Sequence, residues 1–207
     1  MTETNMNTSN PYDGPRVAGT VGPPLPGVEV RITDPETGAA LAPGETGMIE
    51  VRGPNVFGGY WRLPEKTAAG FRPNGFFMTG DLGMIDARGY VVIAGRAKDL
   101  VISGGMNVYP KEVEIALDGL PGIVESAVIG VPHADLGEAV VAVVVPAAPH
   151  AFDEQAVIAA LKDILAGYKR PKRVVAVDEL PRSAMSKVRK NLLRDRFRDL
   201  FADRAAR

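Results

Sequence analysis

The chain has 207 residues, of which 45% are hydrophobic, 24% charged and 6% aromatic, and this length allows one domain or two. Its 24 basic and 25 acidic residues give a formal net charge of −1, which excludes a global field that would recruit nucleic acid or anionic membranes. The lack of cysteine excludes disulfides and thiolate metal sites and favours a cytoplasmic location. No apolar run approaches the roughly 20 residues of a membrane span, and the polar N-terminus has no signal-peptide pattern.

The first half of the chain is predicted to consist of strands and turns. Apolar and charged residues alternate over residues 28–32 and 48–52, which predicts two half-buried strands. Residues 77–85 and 90–94 are predicted to form a hairpin, because the intervening sequence 86–89, Asp-Ala-Arg-Gly, has the residues of a tight turn. No amphipathic helix is expected before about residue 110.

The second half is predicted to alternate helices and strands. Pro110 is suited to the first turn of a helix, and Asp153 is suited to cap another. The predicted elements are a helix from residue 110, strands at 124–131 and 139–145, a helix at 154–166, a strand at 174–177 and a basic terminal helix at 187–201. A β-rich region followed by the order αββαβα predicts an α+β fold with two units that meet near residues 95–99.

Several short motifs could carry chemistry, although each has a simpler explanation. Asp81 lies beside the flexible Gly80, and aspartate next to glycine is usually a turn or cap residue. The charged cluster at 95–99 could be a solvated linker, Gly104-Gly105 could be only a turn, and Lys187 could be a surface lysine. The phosphate-binding patterns GxxxxGK[ST] and GxGxxG are both absent.

The order and spacing of the motifs resemble those of the adenylate-forming superfamily, in its acyl-CoA synthetase branch. The matching segments are residues 1–3, 59–60, 79–82, 95–99, 102–110 and 180–182, followed by Lys187. Residues 1–6 and 9–14 look most like malonyl-CoA synthetases. The resemblance implies the C-terminal part of such an enzyme, with residues 1–97 as the β-rich end of the AMP-binding (adenylation) domain and residues 98–207 as the small αββαβα lid domain. The family's phosphate loop lies upstream of the matching region, so the chain is expected to be a fragment.

The resemblance implies an ATP-dependent carboxylic acid–CoA ligase, directed to malonate, with ATP and coenzyme A as co-substrates and Mg²⁺ as the metal. Thr2 would hydrogen-bond phosphate and Glu3 would hold Mg²⁺, which prefers oxygen ligands. Asp81 would accept both ribose hydroxyls and Arg96 would contact the nucleotide. Lys187 would stabilise the adenylation transition state as a compact positive charge. Chain ends fray, so Glu3 is expected to be poorly held in the isolated chain.

The resemblance also implies a set of residues for the coenzyme step. Lys98 would be the hinge about which the lid domain rotates, and Gly104 and Gly105 would then line the pantetheine tunnel. Arg170 would reach the phosphates of coenzyme A, with a solvated basic turn as the alternative explanation. Leu136 stands where some relatives carry an aromatic residue that stacks on adenine, so that stacking contact is not expected here.

Three remaining features are given minor roles. Ser186 stands where many relatives have glycine, and a small side chain is expected to be tolerated there. No catalytic role is predicted for His133 or His150, because neither lies near other metal-ligand residues. The basic segment 182–207 could indicate nucleic acid, but without interleaved aromatic residues a solvated helix is favoured. Two hypotheses therefore stand: the rear portion of an acid–CoA ligase, or a non-catalytic nucleotide- and CoA-binding remnant of one.

Overall fold

The computed structural model describes residues 1–147 and 152–202. The chain has an α+β fold and divides into two compact units, Met1–Lys98 (unit 1) and Asp99–Arg207 (unit 2), so the division falls one residue after the predicted boundary. Unit 1 contains β1 (Glu29–Thr33), β2 (Gly47–Arg52), α1 (Pro64–Gly70), β3 (Phe77–Ile85) and β4 (Val91–Arg96). Unit 2 contains β5 (Val101–Ser103), β6 (Met106–Val108), α2 (Pro110–Asp118), β7 (Ile123–His133), β8 (Gly137–Pro146), α3 (Glu154–Ala160), β9 (Arg173–Ala176) and α4 (Lys190–Phe197).

Unit 1 is built on an antiparallel sheet in the order β1-β2-β3-β4. Ile32, Ile49, Val51 and Val91 form its buried apolar cluster. The alternation of apolar and charged residues correctly predicted β1 and β2, since apolar side chains on one face of each strand meet in this cluster.

One charged residue of β2 departs from the half-buried pattern. Glu50 is fully buried, and its carboxylate accepts hydrogen bonds from Arg31 at 2.7 and 2.8 Å, from Arg72 at 2.7 Å and from the Thr33 hydroxyl at 2.9 Å. Burial raises the pKa of Glu50, but the bonds from Arg72, Arg31 and Thr33 outweigh that effect and hold the pKa below its usual value. Glu50 is therefore a buried carboxylate compensated by two guanidinium groups.

Several hydrogen bonds hold the N-terminal segment within unit 1, and one asparagine makes three of them. The Asn55 side-chain amide donates to the carbonyl of Thr4 at 2.6 Å, to that of Met6 at 3.1 Å and to Oδ1 of Asn7 at 3.0 Å. Thr4 is fully buried. These bonds and the burial of Thr4 give the segment that contains Glu3 a defined position in the structure, while the fraying of the chain end stays a prediction.

Unit 2 is organised around β8. The sheet has the order β6-β5-β8-β7, and β9 pairs with β8 in parallel. Val140, Ala142 and Val144 of β8 pack in the apolar cluster that includes residues of α2. Val141 and Val143 pack in a second cluster that includes Leu193 of α4. Because side chains alternate along a strand, consecutive residues of β8 contribute to opposite faces, and both faces are buried.

The boundaries of several predicted elements need correction. A short helix, α1, does form before residue 110, but it buries none of its residues, so it does not contradict the prediction that no amphipathic helix occurs there. The β5–β6 hairpin was not predicted, since each strand has only three residues. The predicted helix 154–166 ends at Ala160, where i→i+3 bonds such as Lys162 to Ala159 take over and tighten the chain. The terminal helix begins at Lys190 instead of 187.

Across the described residues, none of the helices combines the length and apolar character that a bilayer crossing requires.

Candidate functional site

Asp81 and Arg96 lie opposite each other on β3 and β4. The Nε atom of Arg96 is 2.8 Å from Oδ1 of Asp81, and Asp81 is the more buried of the two side chains. Burial raises the pKa of Asp81, while the positive charges of Arg96 and the N-terminal amine oppose that rise. A cavity of about 60 Å³ adjoins Asp81 and is lined mainly by apolar residues of the sheet. The pair thus offers a carboxylate acceptor and a guanidinium donor side by side on two neighbouring strands.

Glu3 is held by a residue of the 59–60 motif. Its backbone carbonyl accepts from the Phe57 amide at 2.8 Å, and its carboxylate accepts from the Tyr60 hydroxyl at 3.2 Å. Burial and the neighbouring Glu3 raise the pKa of Tyr60. Thr2 is exposed beside it. The pairing of Glu3 with Tyr60 could not be predicted from the sequence, because 57 residues separate the two side chains.

The described residues offer Mg²⁺ no complete protein site. Within residues 1–147 and 152–202, no cluster of three or more His, Cys, Asp or Glu side chains could hold a metal ion. Mg²⁺ is commonly bound by one or two carboxylates together with substrate phosphates and water. Glu3 alone therefore fits Mg²⁺ as one ligand beside a bound nucleotide, and not as part of a metal cage.

Lys98 is exposed and lies in a 3₁₀ turn over Ala97–Asp99. The next residue, Asp99, forms an ion pair with Arg194 of α4 at 2.7 Å. This ion pair links the first residue of unit 2 to α4. Lys98 is therefore the last residue before the chain is held by unit 2.

Gly104 and Gly105 form the two-residue turn of the β5–β6 hairpin. Their φ angles are +58° and +78°, the left-handed region that glycine adopts without steric cost, and two such residues favour a tight hairpin turn. Both glycines are exposed. The Gly104 amide donates to the Leu136 carbonyl at 2.9 Å, and a Cβ at Gly104 would stand 3.5 Å from Leu136 Cδ2. The structure thus brings Leu136 beside the glycine turn.

Arg170 is half-buried in the turn that follows a 3₁₀ segment, Gly167–Lys169. Its Nε donates to the Leu165 carbonyl at 2.9 Å. Lys169 binds both carboxylate oxygens of Glu112 at 2.6 and 2.8 Å, which raises the pKa of Lys169. Of these two neighbouring cations, Lys169 is therefore already paired with a carboxylate, whereas the fixed Nε of Arg170 orients its guanidinium.

Lys187 lies in a tight loop and not at the start of a helix. The Arg189 amide donates to the Pro181 carbonyl at 2.7 Å, and the Ser183 amide donates to the Lys187 carbonyl at 2.8 Å. The Lys187 side chain is exposed, and within the described part of the chain it forms no ion pair. Ser186 has a φ of +58°, so the preceding position demands a left-handed backbone as well as a small side chain.

The two histidines and the basic tail have these positions. The His133 ring packs 5.1 Å from the ring of Phe201. His150 and residues 203–207 lie outside the described residues.

The geometry defines a two-unit α+β protein that carries a paired carboxylate and guanidinium in one unit and an exposed lysine loop and glycine turn in the other. Residues 1–61 match the AMP-binding enzyme family, and residues 112–187 match the AMP-binding enzyme C-terminal domain. The chain belongs to the AMP-binding enzyme family.

Its relatives include named CoA ligases. The chain is 45% identical over 184 residues to an indoleacetate–CoA ligase of Aromatoleum aromaticum, which covers 89% of this chain and 36% of the relative. It is 42% identical to a malonate–CoA ligase of Arabidopsis thaliana, covering 94% of this chain and 33% of the relative. The ATP-bound MatB of Rhodopseudomonas palustris superposes with a TM-score of 0.92 at 64% identity, covering 97% of this chain and 40% of MatB. The chain thus spans between a third and two fifths of these relatives.

Proposed function

We propose that this chain is the part of an ATP-dependent acid–CoA ligase that holds the nucleotide ribose and supplies the lysine for adenylation. The overall reaction would join a carboxylic acid, ATP and coenzyme A to give acyl-CoA, AMP and diphosphate through an acyl-adenylate. The observation that carries the proposal is the pairing of Asp81 with Arg96 at 2.8 Å, on two motifs that the resemblance assigns to the nucleotide. Similarity to ATP-bound MatB supports it.

In the first half-reaction, the substrate carboxylate attacks the α-phosphate and diphosphate leaves. Negative charge accumulates on the phosphate oxygens, so positive groups in fixed positions lower the barrier. Asp81 would accept hydrogen bonds from both ribose hydroxyls, and Arg96 would contact the nucleotide. Thr2 would donate its hydroxyl to phosphate, and Lys187 would place its ammonium beside the charge that develops.

By the same proposal, Mg²⁺ binds together with ATP for the first half-reaction. Glu3, oriented by Tyr60 at 3.2 Å, would be the protein ligand that this chain contributes. The ion would neutralise charge on the triphosphate when bound.

In the second half-reaction, the thiol of coenzyme A attacks the acyl carbonyl and AMP leaves. Gly104 and Gly105 would border the pantetheine arm, because an exposed turn without side chains leaves room for a ligand. Arg170 would meet the coenzyme phosphates with its guanidinium. We assign the change of lid orientation between the half-reactions to Lys98.

The proposal is tested by grafting this chain in place of the matching segment of Rhodopseudomonas palustris MatB, a protein termed here the MatB graft. We expect ATP–diphosphate exchange with malonate and thioester formation with coenzyme A. The 207-residue chain alone is the control, and we expect no exchange from it because its sequence holds no glycine-rich phosphate loop. A graft that folds but catalyses neither step would favour the non-catalytic remnant and contradict the proposal.

We further propose malonate as the acid. The 64% identity to MatB and the 42% identity to a malonate–CoA ligase support it, although relatives at similar identity are ligases for aromatic acids. The test uses the longest polypeptide obtained when the reading frame upstream of the Met1 codon is included. Exchange is measured with malonate, indoleacetate and ferulate, and a preference for either aromatic acid would make this assignment wrong.

Lys98→Pro in the MatB graft is expected to slow the coenzyme step more than adenylation. Proline fixes φ near −65°, so the residue loses the torsional freedom that a hinge requires. Single-turnover measurements of adenylate formation, and of thioester formation from supplied acyl-adenylate, separate the two steps. Lys98→Ala is the control, because it removes the charge and keeps φ free. If Lys98→Pro leaves thioester formation unchanged, the pivot lies elsewhere.

A further inference from the structure

The loop that carries Lys187 is closed by its own backbone. The bonds from Arg189 to Pro181 and from Ser183 to Lys187 pair Arg182 with Val188 in an isolated antiparallel bridge. The Ser183 hydroxyl accepts from the amide of Lys187 at 3.3 Å. The loop is therefore a small closed ring whose shape determines where the Lys187 side chain begins.

The strained residue of this ring is Ser186, whose φ is +58°. Its left-handed backbone conformation is unfavourable for a residue with a side chain and persists only when the surroundings enforce it. The Ser186 amide donates to the Ser183 carbonyl at 2.9 Å, and the Ser186 carbonyl accepts from Nη1 of Arg182 at 2.7 Å. Arg182 thus contacts the strained residue directly before Lys187.

Arg182 also connects this loop to the sheet. Its second terminal nitrogen, Nη2, binds the carboxylate of Glu125, a residue of β7. Glu125 pairs with Val145 of β8, so the anchor belongs to the most extensively paired part of unit 2. The guanidinium is planar and its donors are fixed relative to one another, so one side chain fixes the distance between the Ser186 carbonyl and β7.

The ion pair between Arg182 and Glu125 is too exposed to contribute much to the free energy of unfolding of the whole chain. The Arg182 and Glu125 side chains are 42% and 31% exposed, and ion pairs with such exposure contribute little to folding. Its geometry, with one nitrogen on the loop and one on the sheet, is instead suited to fixing a local conformation.

We propose that Arg182, through Ser186 and Glu125, is a positioning residue that holds the Lys187 loop for adenylation. The proposal rests on the adenylation role of Lys187. It assigns Arg182 no contact with substrate, and it requires the two-pronged guanidinium, which lysine cannot reproduce.

The first test measures the loop itself in the 207-residue chain and does not depend on activity. Hydrogen exchange of the amides of residues 183–187 is expected to accelerate in Arg182→Ala and in Arg182→Lys. Arg173→Ala is the matched control, because Arg173 is 45% exposed and pairs with Glu154 at 2.8 Å away from the loop. Unchanged exchange in Arg182→Ala overturns the proposal, whatever the chain catalyses.

The second test measures the two half-reactions in the MatB graft. Arg182→Ala is expected to lower kcat for adenylation by roughly 10- to 100-fold, the effect of a slightly misplaced catalytic group, with KM for ATP and thioester formation from acyl-adenylate unchanged. If Arg182 had only a structural role, Arg182→Ala would lower the rates of both half-reactions together, and that result overturns the proposal. Full adenylation activity in Arg182→Ala, despite faster hydrogen exchange in the loop, also overturns it. An unmutated graft without adenylation contradicts the proposed function instead, and the exchange result still decides whether Arg182 holds the loop.

Discussion

Lys187→Ala in the MatB graft is expected to lower the rate of acyl-adenylate formation by roughly 100- to 1,000-fold and to leave thioester formation from supplied acyl-adenylate nearly intact. This range is typical when one fixed group that stabilises transition-state charge is removed. The Lys187 side chain is exposed at the tip of a closed loop, so its truncation leaves no cavity and no unpaired buried partner. The loss should therefore be chemical and not a consequence of unfolding.

Diphosphate exchange and single-turnover thioester assays measure the two steps separately. Lys162→Ala is the control, since Lys162 is also an exposed lysine of unit 2 and has no proposed role. Equal losses in both steps would refute the assignment of Lys187 to adenylation alone, and a loss in the control would point to a general effect of surface charge.

Glu50→Gln is expected to destabilise unit 1 by about 3–5 kcal/mol, the usual cost of breaking a buried ion pair by removing one partner. The substitution leaves the half-buried Arg31 and Arg72 without the negative charge that they face in the fully buried Glu50. Urea denaturation followed by circular dichroism gives the free energy of unfolding, and hydrogen exchange of β2 assigns the loss to unit 1. Glu29→Gln is the control, since Glu29 pairs with Arg52 on the surface and should have a small effect.

The effect of Glu50 also has a defined pH dependence. The pKa of Glu50 in the folded protein lies below its usual value near 4.5, so the unfolded chain binds the proton more tightly. The stabilisation is complete above pH 4.5 and disappears as the pH falls through the folded pKa. Below pH 4.5 wild type should lose extra stability because Glu50 becomes protonated. Glu50→Gln has no carboxyl group to protonate there, so it should not show this extra loss. If the two proteins lose stability in parallel with acid, the carboxylate of Glu50 is not the group responsible.

Strands and the two-unit organisation were accessible from the sequence because they follow from local patterns. The alternation around Ile49 and the paired β-branched runs of β7 and β8 depend only on neighbouring residues. Pro110 correctly marked the start of α2, since its fixed φ and missing amide suit the first helical turn. The order of motifs was sufficient to identify the family.

Other features could not be predicted because they depend on distant residues. The burial of Glu50 depends on Arg72, which lies 22 residues further along the chain. Lys187 is predicted at the start of the terminal helix, yet bonds from residues 187 and 189 to Ser183 and Pro181 keep this segment in a loop. The contact between Glu125 and Arg182 spans 57 residues, and no periodicity in either segment indicates it.

The two buried faces of β8 determine how substitutions within this strand are transmitted. Truncating Val140 leaves a void beneath α2 and α3, whereas truncating Val141 leaves one beneath α4. Whether a substitution in the middle of β8 falls at an even or an odd position therefore determines which of the two apolar clusters it disturbs. Since α4 follows the lysine loop directly, we expect truncation of Val141 to loosen that loop more than truncation of Val140.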